Sequence, residues 1–187
     1  MNGQNGNLQL LEQLIEVTSA DLDVGEVSQR VAAMVTAATH SDVCFVHLVD
    51  EELRRVVLAG ATPPFDEHVG NVQLALGEGI AGWVAKFAQP AVVPDKWKDR
   101  RYRYIPELRG EDFTSMRSVP MLARGRVVGV LNVHSRAARS YGDDDLALLP
   151  QVANLLARAI ENARLYGRLA EREEMLERFA TSTVEAQ

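Results

Sequence analysis

Two pairs of β-rich segments constrain the fold of this chain more than any other feature. The first pair is DVCFVHLVD, from residue 42 to 50, followed after Glu-Glu-Leu by RRVVLAGA. The second pair is FTSMRSVPML, followed after Ala-Arg-Gly-Arg by VVGVLNVHS. Because connections this short join antiparallel strands, the sequence predicts two hairpins in an antiparallel sheet. Pro120 has no N–H to donate within a central strand, so we expect it at an edge or a bulge.

Segments with helical periodicity lie before the first hairpin and after the second. Apolar residues recur at three- and four-residue spacing in segments 8–20 and 24–38, and again from 142 to about 180. Asp23 lies immediately before the second segment, where an N-cap residue is expected. Helices at the two ends of a chain, around an antiparallel sheet, predict an α+β fold.

The segment 77–90, GEGIAGWVAKFAQP, has glycines at the spacing of a dinucleotide-binding loop. That loop belongs to strands that alternate with helices, which the two hairpins contradict. A P-loop would need Gly-Lys-Ser or Gly-Lys-Thr, which is absent here. We therefore interpret the glycines as a turn and a close backbone approach at the start of a short helix, which Pro90 ends. Short strands are expected on either side, at 69–76 and 91–95.

Composition excludes several functional classes. The 187 residues carry a net charge of −6, which disfavours direct binding to nucleic acid or to an anionic membrane. The single cysteine, Cys44, excludes an internal disulfide and any metal site built from several cysteines. No segment approaches the ~18 apolar residues of a membrane span, and the first residues do not form a signal peptide. We therefore expect a cytoplasmic protein.

Four stretches, in this order, resemble the GAF domain, a small-molecule sensing relative of the PAS fold. They are DVCFVHLVD, LGEGIAGWVAKFAQPAVVPD, SMRSVPMLARGRVVGVLNVHS and DDLALLPQVANLLARAIENARLY, within residues 10–166. The resemblance implies an antiparallel sheet of five or six strands, with the first, second and last helices on one face. It also implies a ligand pocket on the other face, under the short helix and a long loop, and a regulatory role without catalysis.

Several ligands known for GAF relatives are disfavoured here, because this chain lacks the residues that bind them. The N-K-x-x-x-F-x-x-x-D-E signature of the members that bind cyclic nucleotides is missing. Cys44 lies inside the first strand, away from the pocket rim where tetrapyrrole-binding members attach their pigment. Members that reduce free methionine sulfoxide need several thiols, because one cysteine cannot both attack and resolve. Haem-binding members use a histidine, so haem stays open; otherwise we expect no cofactor and no metal.

Polar side chains on two strands are the first candidates for a ligand site. Side chains alternate along a strand, so Phe45 and His47 share one face of the first strand. Asn132 and His134 share one face of the last strand. If these strands are neighbours, as the resemblance implies, the polar groups converge on the pocket. They then contact a ligand or are hydrogen-bonded within a partly solvated face.

The basic and aromatic loop WKDRRYRYIPELR, residues 97–109, is the second candidate region. In the family this loop covers the pocket, and its arginines could pair with a carboxylate or phosphate. We predict that Arg101 and Tyr102 contact a small polar or anionic ligand, with Trp83 and Phe87 of the short helix as apolar walls. The alternatives are a solvated loop packed on the core and a site for single-stranded nucleic acid.

The last helix is longer than a compact domain requires. Beyond residue 164 an apolar stripe of Leu165, Leu169, Leu176 and Phe179 continues through mostly charged sequence. We therefore predict a sensory domain over residues 8–164, and over 165–187 a signalling helix that pairs with a second copy in a homodimer. The end of the chain has no helix-ending glycine or proline, so we expect an output module to follow.

These observations favour a ligand-sensing GAF domain of a bacterial-type signalling protein. Its output would be a sensor histidine kinase of a two-component system or a transcription regulator. One alternative is a dimerisation or relay module whose pocket is filled by its own side chains. A less favoured alternative is an enzyme similar to the free methionine sulfoxide reductases.

Overall fold

A computed structural model describes residues 2–19, 23–138 and 143–185. Within them the helices are α1 (Asn2–Ser19), α2 (Val24–Thr39), α3 (Gly79–Phe87) and α4 (Asp143–Glu185). The strands are β1 (Val43–Asp50), β2 (Arg55–Ala61), β3 (Gln73–Ala75), β4 (Ala91–Val93), β5 (Ser115–Ala123) and β6 (Arg126–Ser135). They form one sheet in the order β3-β2-β1-β6-β5-β4, with antiparallel neighbours throughout. The predicted α+β fold is confirmed.

Helices α1, α2 and α4 pack together over one face of the sheet, as the resemblance implied. Asp23 caps α2, because its Oδ1 accepts a hydrogen bond from the Glu26 amide N at 2.9 Å. Cys44, Val46 and Leu131 point to this face and lie in the main hydrophobic core. Residue 20, Gly142 and residues 186–187, at the limits of the helices predicted from the sequence, lie outside the described residues.

Pro120 lies in β5 where that strand has a neighbour on one side only. The pairing of β4 with β5 ends at Ser118, so Pro120 pairs across to Val130 of β6 alone. The register between β5 and β6 then shifts between Met121 and Leu122. Pro120 therefore lies where β5 is an edge, as predicted, and the irregularity in register follows directly after Met121.

The opposite face of the sheet carries α3 and the long loop 94–114. A Cβ at Gly82 would lie 2.4 Å from the Ala75 carbonyl oxygen, so glycine lets α3 lie against β3. Gly79 opens α3 with a φ of +65°, which favours glycine. The glycines thus serve a turn and close packing, as predicted. Strand β3 is shorter than the predicted segment 69–76, because the chain turns at residues 69–71 before it.

Helix α4 packs on the sheet with its first half and is exposed in its second half. Leu149, Val152, Leu156 and Ile160 are fully buried in the main core. Beyond residue 165 the described side chains are exposed up to residue 180. The long C-terminal helix predicted from the sequence is therefore confirmed. Over the described residues, helix length and hydropathy give no candidate for a bilayer-spanning helix.

Candidate functional site

A small cavity lies on the sheet face that carries α3. It encloses about 50 Å³ between the sheet, the first turn of α3 and the loop 94–114. One ordered water needs roughly 10–15 Å³ of such space, so the cavity has room for a molecule of few non-hydrogen atoms. Its walls are Phe45, His47, Leu74, Gly79, Ile80, Ala81, Tyr102, Arg103, Ile105, Leu108, Met116, Asn132 and His134.

A buried hydrogen-bond chain crosses three strands at the cavity. The Ser118 hydroxyl on β5 donates to Asn132 Oδ1 on β6, and Asn132 Nδ2 lies 3.0 Å from His47 Nδ1 on β1. Because an amide nitrogen only donates, His47 Nδ1 accepts and the imidazole proton lies on Nε2. His47 is 3% exposed, and its Nε2 has no hydrogen-bond partner among the described residues. An unsatisfied buried donor is rare and indicates a missing acceptor.

His134 contributes a second imidazole to the cavity wall. Its ring lies edge-on to those of Phe45 and Phe113, with centroids 5.1 and 5.8 Å away. Its Nδ1 is buried and also lacks a hydrogen-bond partner within the described part of the chain. Burial lowers the pKa of His47 to about 4, and burial together with the nearby charge of Lys96 lowers that of His134 to about 3. Both imidazoles are therefore neutral near neutral pH.

The first turn of α3 forms another wall, through Gly79, Ile80 and Ala81. The first N–H groups of a helix have no acceptor within it. The preceding residue, Glu78, provides no side-chain cap, since its carboxylate accepts from the Ala75 amide at 3.0 Å and pairs with Arg103 at 3.3 Å. Backbone donors at the positive end of the helix dipole therefore border the cavity.

Lys96 anchors the loop that closes the cavity. It is fully buried, and its Nζ donates to the Gly110 carbonyl and lies 4.9 Å from the ring centroid of Tyr102, a wall residue. Its backbone N donates to Thr114 O at 2.9 Å. Burial lowers the pKa of Lys96 to about 8. Sequence reasoning missed this residue, because nothing in the sequence distinguishes it from the exposed Lys98.

Five of the eight residues predicted from the sequence line the cavity together: Phe45, His47, Tyr102, Asn132 and His134. Trp83, Phe87 and Arg101 lie outside it. The cavity meets only the first turn of α3, whereas Trp83 and Phe87 lie further along, pack on each other at 5.4 Å, and leave Phe87 50% exposed. Whether the eight residues bind a ligand stays a prediction.

The arginine that lines the cavity is Arg103, which sequence reasoning noted in the loop but did not select. Arg101 instead turns back onto Asp99, with Nη2 to Oδ2 at 2.6 Å, and its guanidinium lies 4.4 Å from the centroid of the Trp83 ring. This ion pair lowers the pKa of Asp99. Arg101 and Arg103 lie only two residues apart in an irregular loop. The sequence has no pattern there that indicates which of the two faces the cavity.

A comparison with family profiles matches residues 21–161 to the GAF domain. The chain belongs to the GAF family. Among curated proteins, this GAF domain is 29% identical over 156 residues to the phosphoenolpyruvate-dependent phosphotransferase system protein of Escherichia coli (strain K12), covering 83% of this chain and 21% of the relative. It is 28% identical over 166 residues to the dual 3',5'-cyclic-AMP and -GMP phosphodiesterase 11A of Takifugu rubripes, covering 82% and 18%.

A third relative, the Nif-specific regulatory protein of Azospirillum brasilense, is 28% identical over 181 residues, covering 91% of this chain and 28% of the relative. The GAF domain thus spans only 18% to 28% of the length of these relatives. The shared presence in regulatory proteins supports a sensory or regulatory role.

Solved structures share the fold. The GAF domain of a phosphoenolpyruvate-protein phosphotransferase from Coxiella burnetii has a TM-score of 0.81 at 24% identity, covering 90% of this chain and 99% of that one. The free methionine-R-sulfoxide reductase of Neisseria meningitidis, solved in complex with its substrate, has a TM-score of 0.73 at 22% identity, covering 86% and 91%. At these identities the likeness establishes the fold.

Proposed function

We propose that this GAF domain is a regulatory sensor that binds a small molecule in the cavity under α3. The single observation that carries the proposal is the buried Nε2–H of His47, a donor held without an acceptor at a preformed cavity. An unpaired buried polar group costs about 1–3 kcal/mol, which an incoming acceptor relieves. The Ser118–Asn132 chain fixes the tautomer that presents this proton.

Helix α4 is proposed to carry the signal away from the cavity. It packs on β5 and β6, the strands that hold Ser118 and Asn132. Polar contacts join α4 to β1 and to the first residue of β6. Arg164 Nη2 donates to Val49 O at 3.3 Å, and Arg126 lies 3.5 Å from Glu161. A ligand that binds two arrangements of these strands with different affinities would shift α4 between two positions.

The output would be a separate module, such as a sensor histidine kinase of a two-component system or a transcription regulator. Support comes from the curated relatives, which include a Nif-specific regulatory protein and match this domain over a minor part of their length.

We also propose that the exposed half of α4 pairs with a second copy to form a homodimer. Leu169 and Leu176 are 57% and 68% exposed, and Tyr166 and Met175 are exposed near them. Burying each such side chain is worth roughly 1.5–3 kcal/mol. The flanking charges, including the pair of Arg178 with Glu174 at 3.7 Å, suit the margins of a helical pair.

A non-catalytic role is proposed in preference to methionine sulfoxide reduction. Cys44 is the only cysteine in the sequence, and it lies in the core on the face of the sheet opposite the cavity. Burial raises the pKa of its thiol, which opposes formation of the reactive thiolate. Wild type and Cys44→Ala should both fail to reduce free methionine sulfoxide; reduction by the wild type that Cys44→Ala abolishes would contradict the proposal.

A ligand screen by protein-observed NMR tests the sensor proposal. Ligands drawn from several chemical classes should shift the amide signals of β1, β6 and the first turn of α3. Binding should be lost in His47→Phe and retained in Phe87→Ala, a change on α3 outside the cavity. Hits that shift other surfaces only, and that bind His47→Phe unchanged, would overturn the proposal.

A further inference from the structure

We propose that the ligand of the cavity is a short-chain monocarboxylate, with its carboxylate between the first turn of α3, Arg103 and His47. This inference rests on the proposed function, since it specifies the ligand of the same cavity.

The charges around the cavity favour an anion. Arg103 is a cationic wall residue, and the walls formed by the described residues include neither an aspartate nor a glutamate. The nearest acidic group described above, Glu78, is already bound to Arg103 and to the Ala75 amide. The ammonium of Lys96 lies behind Tyr102, and the positive end of the α3 dipole adds to the same field. A ligand ammonium group would find no carboxylate in these walls, which disfavours free amino acids.

The hydrogen-bond donors around the cavity match the acceptors of a carboxylate. Two carboxylate oxygens can accept about four hydrogen bonds. The cavity is bordered by the first turn of α3, which has no side-chain cap, by the unpaired Nε2–H of His47, and by the guanidinium of Arg103, which also pairs with Glu78 at 3.3 Å. His47 is held neutral, so it donates one hydrogen bond without adding a second positive charge. One cation and neutral donors suit a monoanion better than phosphate, which carries more charge.

Size and polarity limit the rest of the ligand. A cavity of about 50 Å³ has room for a molecule of few non-hydrogen atoms. The remaining walls are apolar, from Leu74, Leu108 and Met116. A second carboxylate placed against them would be buried without partners, at a high cost. A short alkyl chain, as in propionate, fits both the space and the walls.

Isothermal titration calorimetry with propionate tests the inference on the whole chain. Propionate should bind, whereas propionamide, its neutral counterpart, should bind roughly tenfold more weakly or worse. Succinate, glycine and inorganic phosphate should bind more weakly than propionate. Arg103→Met and His47→Phe should each weaken propionate binding roughly tenfold or more. The matched control is Arg101→Met, which removes an arginine of the same loop that lies outside the cavity and should leave the affinity unchanged.

The outcomes separate this inference from the proposed function. Arg103 is 64% exposed in its side chain, so Arg103→Met stays informative even where His47→Phe fails to fold. If propionate fails to bind while a neutral or cationic ligand binds and loses its affinity in His47→Phe, the carboxylate inference is overturned and the sensor proposal stands. Equal binding of propionate and propionamide, or equal effects of the Arg103 and Arg101 changes, would also overturn it. Absence of any ligand in either experiment overturns both.

Discussion

His47 is held neutral inside the protein, and this makes the stability depend on pH. Its pKa falls from about 6.5 in the unfolded chain to about 4 in the folded one. Between these values the unfolded state binds a proton that the folded state does not, so the free energy of unfolding decreases as pH falls. At about pH 5 this loss is about 2 kcal/mol for His47 alone. Burial of His134 acts in the same direction.

Urea unfolding of wild type and His47→Gln, at about pH 7.5 and pH 5, measures this contribution. The variant lacks the titrating imidazole, so the stability advantage of the wild type should shrink by about 2 kcal/mol at the lower pH. A wild-type advantage that is the same at both pH values would contradict the burial of a neutral His47.

Two lysines, two residues apart, should respond differently to the same substitution. Lys96→Ala removes a fully buried side chain, its hydrogen bond to Gly110 and its contacts with Tyr102, and should cost roughly 2–4 kcal/mol. Lys98→Ala removes only a surface ion pair with Asp95 and should change little. Thermal unfolding of the two variants checks this; equal effects would show that Lys96 does not anchor the loop.

At the residue scale, the sequence predicts strand positions far better than loop positions. The two-residue period of a strand places Phe45 and His47 on one face and Cys44 on the other, and the structure agrees. A loop has no such period. The choice between Arg101 and Arg103 depends on a local ion pair with Asp99, which forms only once the loop has its shape.

At the scale of elements, two glycines in helices should respond to alanine with opposite signs. Gly82→Ala places a Cβ 2.4 Å from the Ala75 carbonyl, so α3 must move off β3, at roughly 1–3 kcal/mol. Gly167→Ala meets nothing within 4 Å in the exposed part of α4 and should stabilise by roughly 0.5–1 kcal/mol. Chemical denaturation measures both; a neutral Gly82→Ala would show that the close approach of α3 and β3 is not required.

The two hairpins and the N-cap of α2 could be predicted because their signals are local. Short connections dictate antiparallel pairing, and Asp23 at an N-cap acts within one turn. The position of the cavity along α3 could not be predicted in this way, because it depends on how that helix packs against the sheet. The spacing of Trp83 and Phe87 predicts that they lie on one side of α3. In the structure these two rings pack on each other and Trp83 contacts Arg101, and neither ring lines the cavity.

At the scale of the whole molecule, the proposed dimer predicts a change in mass. Leu169→Glu combined with Leu176→Glu places carboxylates on the proposed contact and should convert a dimer to a monomer. Val69→Glu is the control, since Val69 is exposed in the turn before β3, at the opposite end of the sheet from β5, on which α4 packs. Size-exclusion chromatography with light scattering, at several concentrations, measures the mass. A monomeric wild type, or a dimer that survives the double change, would contradict the proposal.

The continuous helix α4 has a mechanical consequence. Its last buried core side chain is Ile160, and the helix runs on to Glu185, a projection of about 37 Å at 1.5 Å per residue. Where the helix leaves the sheet, Arg164 donates a hydrogen bond to Val49 O and Arg126 pairs with Glu161, so a tilt of the helix would pivot at these contacts. A tilt of about 5° at this pivot moves the far end by about 3 Å. In the proposed signalling, the exposed part of α4 would magnify small shifts of the strands, by a factor set by where its buried contacts end.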